Sequence, residues 1–581
     1  MRLTKPAKRM LAAAVLWAVP NAAQTPNPAP APATQAGPKT TGAELARPKL
    51  VVLLVVDQMR GDYVDKFQGQ WTGGLKRLVK EGAWFREAAY PYAATETCVG
   101  HSTISTGAFP ATHGMVANAW WDRDSQKMVT CTSDPNVSNI AYGSGAATTG
   151  GDSAWRMRVP AFAEELRFQS GRATRVVTFS LKARAAISMA GHQGDAVTWF
   201  ENGSWMTSSR YGTAPYVESF AKANPIEADL GKKWELSLPK SSYFYEEKAT
   251  GAVAPGAWEL TFPHVLQGSS TSSAPDAAFY LQWATSPYAD TYLTKMAENA
   301  VDSLGLGKGR TTDFLGVSYS SVDYVGHAFG PRSWEIQDVL IRLDKDLGEL
   351  FAHLDAKVGR GNYVVALSAD HGVVPVPEDM QKTGADAGVL HVPQLQEKIE
   401  KALEPFNYAK PAVARLASTE VYFSTGVYER LKSDPAAMRA VLDAVRSVPG
   451  VAEVYRAEEV QDRPATQSPI RSAEAASYFP GRSGDLMVVP KPYWLVAWSA
   501  AGKARDYGTG HGTPYYYDQR VPVLLMGWGI EHGEYFGPIT PADIAPTLAA
   551  LTGITLSSRD GRVLAESLRP TGNVTAPAAK H

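Results

Sequence analysis

The chain has 581 residues, of which 57 are Lys or Arg and 58 are Asp or Glu, so its formal net charge is -1. A charge so close to zero gives no overall field for nucleic acid or an anionic membrane, and a 44% hydrophobic content excludes a chain that its charges keep disordered. The only cysteines, Cys98 and Cys131, exclude a disulfide framework and an all-cysteine metal site. We therefore look for a local site and expect no nucleic-acid-binding surface.

Residues 1–23 have the pattern of a secretory signal peptide. A basic segment, Met1–Arg9, precedes the apolar stretch Met10–Val19, and small residues follow at Ala22 and Ala23. The apolar stretch is well short of the ~20 residues that cross a bilayer, so it favours a cleaved signal over a membrane anchor. We therefore expect export to the periplasm or the medium, with no membrane span in the mature chain.

The rest of the chain divides into a linker, one large domain and a tail. Residues 24–47 are rich in Pro and Ala, a composition typical of an extended linker. Residues 48–570 are predicted to form the domain, in which two stretches at about 191–301 and about 374–505 interrupt the alternation of strands and helices. We interpret both stretches as insertions that cap the sheet, and residues 571–581 as a flexible tail.

Continuous apolar runs predict buried strands. The run Leu50–Val56 has no polar residue, as expected for a strand covered on both faces of a parallel sheet. Runs of similar form are Arg175–Ser180, Phe314–Tyr319, Tyr363–Ser368 and Val521–Met526. Apolar residues at helical spacing in Ser333–Phe351 predict an amphipathic helix. The alternation indicates an α/β fold with a doubly wound, mostly parallel sheet flanked by helices.

Carboxylate and imidazole side chains follow three of these runs. The set comprises Asp57, Asp323, His327, Asp370 and His371, and a glycine-rich loop adds His511. Open α/β sheets bind ligands at the carboxyl ends of their strands, so we expect these side chains to meet there. Mixed Asp and His ligands suit zinc or another borderline divalent ion.

Hydroxyl side chains crowd the segment Tyr90–Gly107, which has turn residues followed by a helix-like stretch. A hydroxyl at the start of a helix gains from the helix dipole and from unpaired N–H groups, which suit an alkoxide and phosphoryl oxygens. The pattern itself favours no one hydroxyl among Thr95, Thr97, Ser102 and Thr103, and ordinary helix capping explains each of them equally well. The remaining histidines, interpreted as packing or surface residues, include His101, His113, His192 and His264.

The string Thr97–Gly107 (TCVGHSTISTG), continuing to Asn118, resembles the nucleophile segment of the alkaline phosphatase superfamily, in its nucleotide pyrophosphatase/phosphodiesterase-like branch. The Asp and His positions are similar, in the same chain order, to that family's ligands for two zinc ions. The resemblance extends from Leu50 to about Leu568. Within the superfamily, a threonine at position 97 and the Lys182-Ala-Arg184 pair resemble exported bacterial alkaline phosphatases rather than diesterases.

This resemblance implies a two-zinc alkaline phosphatase that hydrolyses phosphate monoesters through a phospho-threonine. The nucleophile would be Thr97, and the substrate would be bound by Asn118, Lys182 and Arg184. One Zn²⁺ would be held by Asp323, His327 and His511, and the other by Asp57, Asp370, His371 and Thr97. The expected partners are small-molecule phosphate esters, and the chain is expected to be a monomer.

Two other functions stay open from the sequence. One is a phosphodiesterase or nucleotide pyrophosphatase of the same fold, and the other is a non-catalytic, metal-binding exported protein. A sulfatase, which needs Pro and Arg after its modified cysteine, is excluded because Val99 and Gly100 follow Cys98. In an oxidising compartment we expect Cys98 to pair with Cys131 and tie the nucleophile segment to the next loop.

Overall fold

The computed structural model describes residues 47–269, 274–461 and 468–569. The predicted signal peptide, nearly all of the predicted linker and the predicted tail lie outside these described residues. Among the described helices, none combines the length and the apolar character that a bilayer crossing requires.

A ten-stranded mixed sheet forms the centre of the fold. In chain order its strands are β1 Leu50–Val56, β2 Ala83–Phe85, β3 Asn139–Ala141, β4 Val176–Ser180, β5 Ala196–Glu201, β6 Ser204–Ser208, β7 Asp313–Tyr319, β8 Tyr363–Ser368, β9 Val523–Gly527 and β10 Gly533–Tyr535. Across the sheet they are ordered β10-β2-β9-β8-β1-β7-β4-β5-β6-β3. The central strands β8, β1, β7, β4 and β5 are parallel, so their carboxyl ends meet at one edge.

The predicted α/β fold is confirmed, and all five apolar runs form strands of this sheet. Strands β1 and β8 have the predicted bounds. Strand β9 begins at Val523 instead of Val521 and runs antiparallel to β8. An apolar run shows that a strand is buried but carries no information on its direction, which the preceding connection determines.

Side chains of β1 divide between two hydrophobic clusters, one on each face of the sheet. One cluster contains Val51, Leu53 and Val55, and the other contains Leu50, Val52, Leu54 and Val56. The first cluster includes helices Thr97–Thr106, Phe162–Ser170, Ala183–Ala190 and Ile544–Thr552. The second includes helices Gly74–Glu81, Pro287–Leu304, Ser321–Phe329 and Trp334–Leu354. Successive strand residues point to opposite faces, so an unbroken apolar run supplies both cores.

The predicted helix Ser333–Phe351 is observed as Trp334–Leu354. Ser333 is its N-cap, and its hydroxyl accepts a hydrogen bond from the backbone N–H of Ile336. Other helices are Asp62–Phe67, Pro110–His113, Pro215–Ala223, Ala277–Ala284 and Tyr516–Gln519. Short strands outside the central sheet pair Ala119–Asp122 with Lys127–Thr130, Ser133–Asp134 with Gly151–Asp152, and Lys233–Trp234 with His264–Val265.

The first predicted insertion, about 191–301, differs from the observed structure at both of its ends. Strands β5 and β6 belong to the central sheet, and the helix Pro287–Leu304 packs on its face. Only the stretch between them lies outside the sheet and this helix. The strand β5 (AVTWFE) contains Thr and Glu and lacks the continuous apolar run that marks the central strands, so the pattern did not indicate it.

The second predicted insertion, about 374–505, contains a sheet and a hydrophobic core of its own. The four strands of this sheet, in spatial order, are Val413–Ala417, Glu420–Phe423, Leu486–Pro490 and Val451–Arg456. Its helices include Pro377–Lys382, Val392–Leu403, Val427–Lys432, Pro435–Arg446, Ala457–Val460 and Pro469–Ser477. A further strand, Trp494–Ala497, pairs in parallel with Gly388–His391 and leads back towards the central sheet.

The expected disulfide is confirmed: Cys98 and Cys131 are bonded, with a Cα–Cα distance of 6.7 Å. Both cysteines are buried, and the bond ties the helix Thr97–Thr106 to the chain that follows the strand Lys127–Thr130.

We expect replacement of both cysteines by serine to lower the unfolding midpoint in urea, because the bond closes a loop with a sequence separation of 33. The loss of this constraint on the unfolded chain corresponds to about 3 to 4 kcal/mol. The parent measured with a thiol reductant should move towards the double variant. Coincident transitions for the oxidised parent and the double variant would show that the bond contributes nothing.

Candidate active site

Three neighbouring strands deliver carboxylates to one point at the edge of the sheet. Asp57 follows β1, Asp323 lies on the helix after β7, and Asp370 follows β8. The order β8-β1-β7 makes the three strands adjacent, and all three carboxylates are buried. The ammonium of Lys182, which follows β4, lies 2.5 Å from both Asp57 Oδ2 and Asp323 Oδ2. The expectation that these side chains meet is therefore fulfilled.

One candidate metal group consists of Asp323, His327 and His511, whose ligand atoms all lie within 4.8 Å of one another. Asp323 and His327 lie four residues apart on the helix Ser321–Phe329, and Asp323 Oδ1 is 3.2 Å from His327 Nε2. His511 comes from the glycine-rich loop, and its Nε2 lies 4.0 Å from Asp323 Oδ1. This group matches the first predicted zinc set.

A second candidate group consists of Asp57, Asp323 and His371, also within 4.8 Å. The second predicted set has Asp370 where this group has Asp323. Asp370 remains close, with Oδ2 at 3.4 Å from His371 Nε2, while Asp57 Oδ1 is 3.6 Å from the same nitrogen. The two groups share Asp323, so two ions held here would be neighbours.

Backbone carbonyls fix the tautomers of all three histidines. Nδ1 of His327, His371 and His511 lies 2.9, 2.9 and 2.8 Å from the carbonyl oxygens of Thr509, Gly372 and Thr95, respectively. A carbonyl only accepts a hydrogen bond, so each Nδ1 carries a proton, and in the neutral ring Nε2 is the nitrogen with the free lone pair. Metal-binding histidines are commonly oriented in this way.

The electrostatics of the cluster also fit divalent cations. Burial, together with repulsion by Asp323 and Asp370, raises the pKa of Asp57 well above its ordinary value. Burial and the two adjacent imidazoles lower the pKa of His511, which keeps it neutral, as a metal ligand must be. Asp57 Oδ1 is buried without a hydrogen-bond partner among the described residues. The donor set is one that zinc accepts.

The pKa of Asp323 is that of a carboxylate stabilised in its charged form by neighbouring cations. Burial raises its pKa, but Lys182 and His327 outweigh burial and hold it well below the ordinary value. Asp323 also accepts a 2.7 Å hydrogen bond from Gln58 Nε2. Asp290 stabilises the N-terminus of the helix that carries Asp323, because its Oδ1 accepts hydrogen bonds from the N–H groups of Ser320 and Ser321.

Thr97 lies at the first position of the helix Thr97–Thr106, with its Oγ1 3.5 Å from His371 Nε2. Backbone packing sets this proximity, because a Cβ placed on Gly100 would lie 2.0 Å from the carbonyl oxygen of Asp370. A helix N-terminus also favours negative charge on an attacking oxygen.

The other candidate hydroxyls have protein partners elsewhere. Thr95 donates to the Thr513 carbonyl, and Ser102 donates to the Ser188 hydroxyl. The Thr103 hydroxyl lies 3.1 Å from His113 Nε2. The structure therefore places only Thr97, of the four hydroxyls, against the imidazole cluster.

The three predicted phosphate-binding residues line one cavity of about 850 Å³. Asn118 Oδ1 accepts a 2.9 Å hydrogen bond from the N–H of Cys98, which leaves its amide NH₂ group as a donor. Arg184 has a buried Nε without a hydrogen-bond partner among the described residues. These two side chains give the cavity unsatisfied donors, as an anionic group requires, and Lys182 adds positive charge although it is paired with Asp57 and Asp323.

Sequence reasoning missed His101, which was interpreted as a packing residue. Its Nδ1 is 2.9 Å from the Thr97 carbonyl and 3.2 Å from Asp370 Oδ2, and its Nε2 is 2.8 Å from the Ser318 hydroxyl. His101 thus joins the helix of Thr97 to the end of β8. The usable signal was its spacing of four residues from Thr97, which places both on one helix face. His113, His192 and His264 bind outside this cluster, to Thr103, Glu164 and Glu335.

Glu96 and Gln58 were also missed. Glu96, at the N-cap position of the Thr97 helix, accepts hydrogen bonds from the Asn118 N–H and the Ser418 hydroxyl. It thereby holds Asn118 beside the helix and connects the second insertion to the site. Gln58 has a positive φ of 66° and donates through its backbone N–H to Asp370 Oδ1. No local sequence pattern indicates the roles of Glu96 and Gln58, because both roles depend on partners that are distant in the sequence.

Two curated proteins and one crystal structure are similar to this chain over most of its length. The alkaline phosphatase PafA of Elizabethkingia meningoseptica is 34% identical over 535 residues, which cover 90% of this chain and 94% of PafA. The alkaline phosphatase PhoV of Synechococcus elongatus is 31% identical over 541 residues, again 90% and 94%. The crystal structure of wild-type PafA has a TM-score of 0.81 at 32% identity and covers 90% of this chain and 99% of PafA.

A family model described as type I phosphodiesterase / nucleotide pyrophosphatase matches residues 51–514. This range contains every candidate ligand and every candidate nucleophile hydroxyl described above. The chain therefore belongs to the type I phosphodiesterase / nucleotide pyrophosphatase family.

Proposed function

We propose that the protein is an exported, two-zinc alkaline phosphatase that hydrolyses phosphate monoesters through a phospho-threonine intermediate. The observation that carries this proposal is that Lys182 and Arg184 line the same cavity as Asn118, whose Oδ1 accepts a hydrogen bond from the N–H of Cys98, the residue after Thr97. The names of the relatives PafA and PhoV support the same activity. The basic and apolar N-terminal sequence supports export.

We assign one zinc ion to Asp323, His327 and His511. We assign the other to Asp57, Asp370, His371 and the Thr97 oxygen, with the Asp323 carboxylate beside both. Bound zinc supplies positive charge that lowers the pKa of the threonine hydroxyl and of water and stabilises the attacking and leaving oxygens.

The residues of the chain bind the substrate and position the reacting groups. Thr97 gives up its hydroxyl proton and its Oγ1 forms a bond to phosphorus while the bond to the ester oxygen breaks, so that the alcohol leaves with a proton. Water then attacks phosphorus, the bond to Oγ1 breaks, phosphate leaves and the threonine hydroxyl takes up a proton again. Asn118 and Arg184 donate hydrogen bonds to the non-bridging oxygens, where a phosphoryl transition state spreads its charge. A monoester carries about one more negative charge than a diester, and the cations of Lys182 and Arg184 suit that charge.

A phosphodiesterase or nucleotide pyrophosphatase is the second candidate, and the description of the family model favours it. The two activities differ in whether the substrate oxygen that faces the cations is free or esterified. A non-catalytic binding protein would not need the nucleophile and the full set of ligands that this chain retains.

The proposal is tested by turnover of p-nitrophenyl phosphate and of methyl p-nitrophenyl phosphate by the purified protein. We expect a higher kcat/KM for the monoester, loss of activity after dialysis against a chelator, and recovery with Zn²⁺. A preference for the diester would support the second candidate. Absence of turnover on both substrates with zinc restored would favour a binding protein.

A further inference from the structure

Gln58 contacts one carboxylate from each of the two proposed zinc sets. Its side-chain Nε2 donates a 2.7 Å hydrogen bond to Asp323 Oδ1, and its backbone N–H donates a 3.0 Å hydrogen bond to Asp370 Oδ1. The proposed assignment places Asp323 in one zinc set and Asp370 in the other. A single residue therefore fixes a carboxylate of one set relative to a carboxylate of the other.

The backbone of Gln58 has a conformation that glycine favours. A 3.1 Å hydrogen bond from the Met59 N–H to the Val56 carbonyl closes a four-residue turn directly after β1, and Gln58 is the third residue of this turn. Its φ of 66° lies in the left-handed region, which a glutamine adopts only at a cost in free energy. The residue is 1% exposed, so its surroundings hold it in this conformation. Backbone outliers of this kind cluster at functional sites.

The orientation of the Gln58 amide follows from its partner. The charged carboxylate of Asp323 only accepts hydrogen bonds, so the amide nitrogen faces Asp323. The amide oxygen Oε1 is buried and has no hydrogen-bond partner among the described residues. A Cβ placed on Gly326 would lie 1.8 Å from this oxygen, and its three nearest neighbours would all be atoms of the Gln58 side chain. Position 326 therefore has no room for a side chain while the amide is in place.

Gly326 lies between Asp323 and His327 on the helix Ser321–Phe329. Glycine is unfavourable in the interior of a helix, because it loses more conformational freedom on folding than any other residue. Here the missing side chain makes room for the amide of Gln58. Two locally unfavourable residues, one in the turn and one in the helix, thus meet in a single contact beside Asp323. Local rules are broken in this way mainly at functional sites.

We propose that Gln58 is a positioning residue, which orients Asp323 and Asp370 towards the two zinc ions. Gly326 leaves the space that the Gln58 amide needs beside Asp323. The amide hydrogen bond fixes Oδ1 of Asp323 where it lies 3.2 Å from His327 Nε2. Hydrogen bonds to metal ligands commonly raise metal affinity or activity about 10- to 100-fold. The inference rests on the two-zinc site of the proposed function.

The first test is Gln58→Gly, which suits the turn and keeps the backbone N–H for Asp370 but removes the amide from Asp323. We expect one of the two zinc dissociation constants to rise about 10- to 100-fold and the other to stay within about threefold. The measurement is competition with a chromophoric zinc chelator. Gln58→Met, which fills a similar space without a donor, should show the same loss. Parent affinity for both ions in these two variants would overturn the positioning role.

A matched control is Gln282→Met, which removes another fully buried glutamine with hydrogen bonds of its own, to Gln267 and Gly268. We expect this variant to keep both zinc dissociation constants of the parent. In the Co²⁺-loaded protein, the visible absorption bands depend on the geometry of the ligands. They should shift in Gln58→Met and stay unchanged in Gln282→Met. Equal effects of the two variants would show that Gln58 serves the fold rather than the ligands.

The second test uses the contact between positions 58 and 326. Gly326→Ala should displace the amide of Gln58 and weaken zinc binding about tenfold or more, although neither position supplies a ligand. In the Gln58→Gly protein the added methyl group has no amide to displace. There Gly326→Ala should change the zinc dissociation constants less than about twofold, because the two changes act on one contact. Additive losses in the double variant would overturn the role given to Gly326.

Zinc binding and turnover separate this inference from the proposed function. If the parent hydrolyses monoesters and the Gln58 variants bind zinc like the parent, the positioning role fails and the proposed function stands. If the parent binds two zinc ions but hydrolyses no monoester, the proposed function fails. A selective loss of zinc affinity in the Gln58 variants would then still support the positioning role. A parent that binds no zinc would overturn both.

Discussion

Thr97→Ala is expected to reduce turnover of p-nitrophenyl phosphate at least about 10³-fold while the protein keeps both zinc ions. The variant removes the attacking oxygen and leaves every Asp and His of the two ligand groups in place. Thr97→Ser should retain much of the activity, because it keeps a hydroxyl at the start of the helix. The measurements are initial rates and zinc content by metal analysis.

A control on the same helix separates the nucleophile from its surroundings. Ser102 is buried and hydrogen-bonded to Ser188, so Ser102→Ala removes a hydroxyl of the same segment without touching the ligand cluster. We expect the Ser102→Ala variant to hydrolyse p-nitrophenyl phosphate at near the parent rate. If Thr97→Ala hydrolysed the monoester as fast as the parent, the assignment of the nucleophile would be wrong.

Replacement of both Lys182 and Arg184 by Ala is expected to change the choice between monoester and diester. Loss of preorganised charge stabilisation costs ~10² to 10³ in rate, so kcat/KM for p-nitrophenyl phosphate should fall by at least that factor. Methyl p-nitrophenyl phosphate should be nearly unaffected, because its esterified oxygen carries no charge for these cations. The preference for the monoester should therefore narrow or invert.

The contact of Lys182 with Asp57 and Asp323 makes the single variants informative. Within the described part of the chain, Arg184 forms no hydrogen bond or ion pair with a candidate ligand, so Arg184→Ala tests phosphate recognition alone. Lys182→Ala also changes the charge around the metals. Arg156→Ala is a matched control, since Arg156 lines the same cavity and is hydrogen-bonded to Ser133. An equal loss on monoester and diester, accompanied by loss of zinc, would show that the pair maintains the metals rather than selecting the substrate.

Sequence alone predicts the centre of this fold because its strands are buried on both faces. The run Leu50–Val56 leaves few alternatives to a central strand, and Asp57 must then lie at the edge where ligands bind. The last two strands on one side of the sheet could not be predicted in this way, since Ala83–Phe85 and Gly533–Tyr535 have three residues each and no characteristic pattern.

The residues of the site also differ in how far the sequence predicts them. Positions that follow strong strands, such as Asp370 and His371, are predictable from the chain. The position of Asp323 in both metal groups is not, because it depends on how one carboxylate is oriented by Lys182 and Gln58. A cavity of about 450 Å³ beside His327 and His511 could not be predicted either, because part of its wall comes from the second insertion, whose fold depends on its own core.

The backbone of Gly100 lies so close to the backbone of Asp370 that position 100 accepts no side chain. Any side chain there would push the helix of Thr97 away from the backbone of Asp370, and the hydroxyl would move with it. The distance between the attacking oxygen and the ligand strand is thus a property of two main chains, which substitutions elsewhere leave untouched. Arg415 and Trp498, in contrast, are exposed in the wall of a cavity, where a replaced side chain meets solvent instead of backbone. Descendants of this sequence can therefore acquire new substrates by surface replacement while the reaction itself stays the same.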